Sequence, residues 1–121
     1  MSRENKRLHL GLSLDKIIEN SDDLKIAYKS ELDFGDTLII QTRNSSYFIF
    51  VLGYDSYLVL GGWFDRKGMS PKKTSIAGCT WGGHILKTDI VAAGGLRLEF
   101  GNRVVTSRIK KIVVLKGMGI N

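Results

Sequence analysis

The spacing of apolar residues changes character once along the chain, between Phe34 and Gly35. Before that point, Leu14, Ile17 and Ile18 recur at helical spacing behind Ser13, a residue suited to cap a helix. Asn20-Ser21-Asp22-Asp23 offers a second cap, followed by Leu24, Ile26 or Ala27, and Tyr28. These signals predict a flexible N-terminus over 1–12 and a helical segment over 13–34. After Gly35 the pattern shifts to β-branched and aromatic runs punctuated by Gly, Asn, Asp and Ser, the composition of short strands joined by turns.

The expected strands come in quick succession. Thr37 to Arg43, Tyr47 to Leu52 and Tyr57 to Leu60 are separated by turns at Asn44-Ser45 and Gly53-Tyr54-Asp55, which reads as a three-strand meander ending at Gly61-Gly62. The stretch from Phe64 to about Ile76 holds the one proline, Pro71, and its polarity predicts an exposed loop. Next come Cys79-Thr80-Trp81, a Gly82-Gly83 break, a strand over about His84 to Ile90, and a break at Gly94-Gly95. The last hairpin is expected to turn on Gly101-Asn102, which sets Leu98 opposite Val105 on the core face. A tight helical turn over Ser107 to Lys110 then precedes a final strand, Lys111 to Leu115. The sum is a mainly β fold, a small antiparallel barrel over 35–116 of the SH3-like or Sm-like kind, with a tail at 117–121.

One strand has too many apolar residues for a thin barrel. In Tyr47-Phe48-Ile49-Phe50-Val51-Leu52 both faces are apolar, so Phe48, Phe50 and Leu52 predict a covered outer face. Two covers fit: the N-terminal helical segment, or a second copy in a homo-oligomer.

A hydrophobic fraction of 43% and a charged fraction of 25% over 121 residues suit one globular domain. Cys79 has no partner cysteine, and no apolar run suggests a signal peptide or a membrane span, so a reducing, cytoplasmic setting is expected. The net charge of +6 is unevenly placed. Residues 1–34 carry six Lys/Arg against seven Asp/Glu, and residues 35–121 carry twelve against five. The positive charge therefore belongs to the barrel and favours phosphates or acidic partners.

Thr42-Arg43-Asn44-Ser45-Ser46-Tyr47, Gly61-Gly62-Trp63-Phe64, Gly78-Cys79-Thr80-Trp81-Gly82-Gly83, Leu98-Glu99-Phe100 and Val104-Val105-Thr106-Ser107 together resemble a family of short uncharacterised bacterial proteins, over about residues 35 to 115. That resemblance implies a context and no activity. The architectural analogy with Sm-like barrels implies ring assembly around RNA. The chain lacks the Asp-x-x-Met-Asn and Arg-Gly signatures of base recognition in Sm-like proteins, so no site residue transfers.

The stretch Asp65 to Thr74 carries Arg66, Lys67, Lys72 and Lys73, flanked by Trp63 and Trp81. Cations that track phosphates beside rings that stack on bases make a single-stranded RNA or DNA site. The plainer alternative is a solubilising loop, with both tryptophans plugging the barrel ends. Arg103, Arg108, Lys110, Lys111 and Lys116 form a second basic cluster, and Arg43-Asn44 a third, although Asn44 also suits a tight turn. A thiol–imidazole pair of Cys79 and His84, with Asp65 or Asp89 orienting it, is a minor enzymatic alternative. His9, His84 and Cys79 show no paired spacing for a metal, and no Gly-rich phosphate loop leads into a helix, so neither metal nor cofactor is expected. The leading expectation is a non-enzymatic homo-oligomeric module for RNA or single-stranded DNA. The alternative is an assembly or adaptor protein.

Overall fold

A computed structural model describes residues 25–81 and 86–117, with the side chain of Leu86 outside that description. The first part of the expected helical segment, 13–24, therefore lies outside the described residues, as does His84. The chain forms β1 (Ile26–Tyr28), β2 (Thr37–Thr42), β3 (Ser46–Gly53), β4 (Ser56–Gly61), α1 (Gly62–Arg66), β5 (Lys72–Thr74), β6 (Ile76–Thr80), β7 (Leu86–Lys87), β8 (Ile90–Ala93), β9 (Arg97–Phe100) and β10 (Val105–Leu115).

Eight strands form one antiparallel sheet in the order β5-β4-β3-β2-β10-β9-β6-β7, while β1 and β8 pair separately. The sheet curls into a half-barrel through two bends, one within β10 and one between β5 and β6. β10 pairs with β9 at its start and with β2 from Ile109 onward, with a register shift between. Only Ser75 separates β5, paired with β4, from β6, paired with β9, so this bent run draws the two halves of the sheet toward each other. Leu38, Ile40, Ile49, Val59, Leu98 and Ile112 fill the concave side and are fully buried. Alternation along each strand accounts for them, since successive side chains point to opposite faces.

Several expectations need correction. Ile26–Tyr28 is a strand, antiparallel to β8, and Lys29–Glu31 is one turn of 3-10 helix, so the described part of 13–34 carries no α-helix. Burial of Ala27 against the core while Ile26 and Tyr28 stay exposed is a strand's alternation. The exposed loop expected from Phe64 to Ile76 holds the end of α1, the edge strand β5 and the fully buried Phe64. The strand expected over 84–90 is split into β7 and β8 by a turn at Thr88-Asp89. No helical turn interrupts Ser107 to Lys110, because a register shift between Val105 and Arg108 bends a continuous β10 instead.

The last hairpin is shifted by one residue from its expected register. The Phe100 N–H donates to the Val104 carbonyl and the Arg103 N–H to the Phe100 carbonyl, so Gly101, Asn102 and Arg103 all belong to the tip. Arg103 occupies the left-handed region at φ 71°. A shift of one residue inverts the faces of the returning strand. Val105 consequently pairs with Glu99 and is 44% exposed, while Val104 and Thr106 turn inward and the Leu98 N–H donates to Thr106 Oγ1.

Candidate nucleic-acid interface

The site is organised by α1. Gly61 and Gly62 take φ values of +97° and +48° at the corner between β4 and α1, and a Cβ on Gly62 would strike the Tyr47 ring. Both glycines are therefore required by the turn. The Gly61 N–H donates to Asp65 Oδ1, and the Trp63 N–H donates to the Tyr47 hydroxyl, fixing the helix over the end of the half-barrel. Phe64 plugs that end, meeting Tyr47, Trp63 and Phe100 edge-on at ring-centroid distances of 6.3, 5.3 and 5.0 Å.

Trp63 is thereby held half-buried with one side facing a shallow cleft of about 580 Å³, which Met69, Lys72, Asn102, Arg103 and Val104 also line. The Gly101 N–H donates to the Ser75 carbonyl and brings the β9–β10 tip against the β5–β6 junction. That contact brings Arg103 and Lys72 to the same cleft. An aromatic side chain backed by the core and sharing a cleft with two cations offers a stacking surface beside phosphate-binding charges.

Three residues further along α1, Arg66 Nη1 donates to Ser45 Oγ at 2.9 Å. Residues at this spacing are neighbours on a helix surface, so α1 leads from the Trp63 cleft to a polar groove of about 520 Å³. Gln41, Thr42, Asn44, Ser45, Ser46 and Lys110 line it. The Asn44 N–H donates to Ser107 Oγ, and the Arg43 N–H donates to the Arg108 carbonyl, which holds the β2–β3 turn against β10. Hydroxyls, amides and a lysine in one groove suit a phosphodiester backbone.

Several expected cations do not converge on this site. Lys72 pairs with Val59 and Lys73 with Leu58, so adjacent lysines lie on opposite faces of the sheet, with Lys73 on the outside. Lys111 pairs with Gln41, and Lys67 is exposed at the end of α1 outside both clefts. Lys116 binds Asp36 and Asp33 at the far end of the half-barrel. Arg108 spends its guanidinium on the carbonyls of Gly95 and Trp81, and Trp81 is 62% exposed, so it plugs nothing. Trp81 follows the Thr80–Arg97 end of β6, whereas the Trp63 cleft abuts the Ile76–Phe100 end.

Sequence reasoning missed Met69, Asn102 and the meeting of Arg103 and Lys72 in one cleft. The available signal was the Gly101-Asn102-Arg103 run, whose length sets where the tip falls. The thiol of Cys79 is fully buried and donates to the Val91 carbonyl at 3.3 Å. Burial pushes its pKa up to about 11, which keeps it protonated and a poor nucleophile at neutral pH. Among the described residues, no three His, Cys, Asp or Glu side chains converge as a metal site.

No family model, curated protein or solved structure matches the chain. The comparisons thus identify no family, and the segments on which a family resemblance was expected lie in the β2–β3 turn, the β4–α1 corner, β6 and the last hairpin.

Proposed function

We propose that the protein is a non-enzymatic small-barrel module, SH3-like or Sm-like in kind, that holds RNA or single-stranded DNA across α1. The observation that carries this reading is the cleft that Trp63 lines together with Lys72 and Arg103. Its continuation through Arg66 to the groove of Asn44, Ser45 and Lys110 gives a strand room for phosphates beyond the stacked base. Lys72 and Arg103 supply charge that acts on any sequence, and Trp63 supplies a face on which any base stacks, so weak sequence preference follows. An adaptor reading needs the outer face of β3 free for another protein chain. Phe48 and Phe50 on that face are half-buried, Leu52, expected to be covered, is exposed at the strand's end, and Ile39 of β2 and Val113 of β10 beside them are closed to solvent.

The test is fluorescence anisotropy of a labelled single-stranded oligonucleotide about 12 nucleotides long, titrated with the full chain at about 50 mM and about 200 mM salt. Binding at micromolar concentration that weakens with salt is expected. Trp63→Ala should weaken it by about fivefold to about a hundredfold, since stacking on one ring contributes about 1–3 kcal/mol. Lys72→Ala should weaken it several-fold and lower the salt slope, while Lys73→Ala on the opposite face leaves both almost unchanged. Absence of salt-sensitive binding, or equal effects of the two lysine variants, overturns the proposal.

A further inference from the structure

The outer face of the half-barrel contains a second, separate apolar cluster. Ile39 pairs directly with Phe48 on one side and Val113 on the other, and Leu115 follows two residues along the same face. Ile39 is 1% exposed and Val113 3%. Among the described residues the apolar groups packed on this pair are Phe48 and Leu115, and both lie in the same sheet layer. Neighbours within a layer shield a side chain laterally but do not exclude water from above it, so this face requires a cover.

We infer that the cover is the chain's own segment from Leu10 to Ile18, docked on the outer face of β2, β3 and β10. Residues 1–24 precede the described structure, and Leu14, Ile17 and Ile18 supply an apolar stripe of the right kind. The segment rejoins the described chain beside the second half of β10. The Lys25 carbonyl accepts from the Gly94 N–H, and Ile26 lines a pocket with Val114 and Lys116. These two alternate with Val113 and Leu115 of β10 and so lie on its other face, and the segment has to come round β10 to reach the outer one. Seven residues from Ile18 to Lys25 reach up to roughly 24 Å when extended. Crossing from β10 to β3 needs two interstrand spacings, roughly 10 Å.

Charge favours the same occupant. Asp15 within the segment and Glu19, Asp22 and Asp23 after it, against Lys16, make residues 13–24 net negative, and Lys111 and Lys73 border the face on its two flanks. With this cover in place, the outer face is a closed layer of the fold and a homo-oligomer must form through another surface. This inference is independent of nucleic-acid binding.

Methyl-resolved NMR on the full chain tests it. Nuclear Overhauser contacts from the methyls of Leu14, Ile17 or Ile18 to those of Ile39 and Val113 are expected. They should persist at high dilution and vanish from isotope-filtered spectra of mixed labelled and unlabelled chains. Contacts that appear only between differently labelled chains assign the face to a second copy and overturn the proposal, as does the absence of any contact from residues 10–18. As a second measurement, I17D/I18D should raise binding of a fluorescent hydrophobic dye several-fold while leaving the strand circular dichroism intact. Unchanged dye binding overturns the inference.

Discussion

At the scale of single residues, the β4–α1 corner shows how closely the site depends on backbone geometry. Gly61 sits at φ +97°, and a Cβ there would collide with the Ser46 carbonyl oxygen. That oxygen belongs to β3, which pairs with β4 at this point, so it moves only if the ladder moves. Gly53 has no atom within 4 Å of where a Cβ would lie and no left-handed φ. Gly61→Ala is therefore expected to lower stability by at least about 2 kcal/mol, and Gly53→Ala to be close to neutral, in urea titrations followed by circular dichroism. Equal midpoints for the two variants would show that the corner can be rebuilt around a side chain. The glycine pair was legible in the sequence as a barrel corner. Its reason, the approach of Ser46 and Tyr47, depends on a strand pairing that no local pattern displays.

At the scale of elements, α1 is the part that sequence reading handled least well. Strands β2, β3 and β4 announce themselves by alternation and bounding turns, and they appear within a residue or two of where the pattern puts them. The Phe64–Ile76 stretch reads as loop because polarity dominates its average. One buried ring decides its structure nevertheless. Phe64 is fully buried, and its three edge-on ring contacts anchor a helix too short to show any periodicity. The hairpin tip failed for a related reason: both Gly101-Asn102 and Gly101-Asn102-Arg103 are acceptable turns, and the choice between them rests on the Gly101–Ser75 contact across the barrel seam. Phe64→Ala is expected to destabilise the protein by about 3–5 kcal/mol in urea unfolding. Because Trp63 packs edge-on against Phe64 at 5.3 Å, its fluorescence emission should also shift to the red in the native state. An unshifted emission would mean that Trp63 is held by other contacts.

At the scale of the whole molecule, the charge excess of the barrel becomes a polarity along it. The end formed by Thr42, Ser46 and Gly61 carries Arg43, Arg66 and Lys110, and the seam beside it carries Lys72 and Arg103. The opposite end holds Asp33, Asp36 and Asp55, which are paired with Lys116 and Lys29. Composition shows the excess of cations but not this separation, because the separation follows from which ends of the strands are adjacent. Neutralised acids at one end leave the other end as the positive surface that a nucleic acid would meet.

The acidic end also ties the described chain together. Asp36 is buried, accepts hydrogen bonds from the N–H groups of Asp33 and Gly117, and meets Lys116 Nζ at 2.6 Å, joining the start of β2 to the end of β10. Burial works to raise its pKa, but the Lys116 ammonium and the two N–H donors outweigh it and hold the carboxyl below its ordinary value of 3.8. A group with a lowered folded-state pKa stabilises the fold above its ordinary value, and that contribution disappears as pH falls through the lowered one. Lys116 is shifted upward, chiefly by its hydrogen bond to Asp36, so its contribution holds below 10.5 and fades as pH rises through its raised value. Asp36→Asn removes the charge but keeps the shape. It is expected to lower stability by about 2 kcal/mol at neutral pH, the scale of a hydrogen bond to a charged group. The urea midpoint of the unaltered chain should fall as pH is lowered below 3.8, whereas that of Asp36→Asn should change less over the same interval, so the two converge in acid. Parallel curves would show that the carboxylate's charge contributes nothing to joining the strand ends, and that the clasp holds through its neutral hydrogen bonds alone.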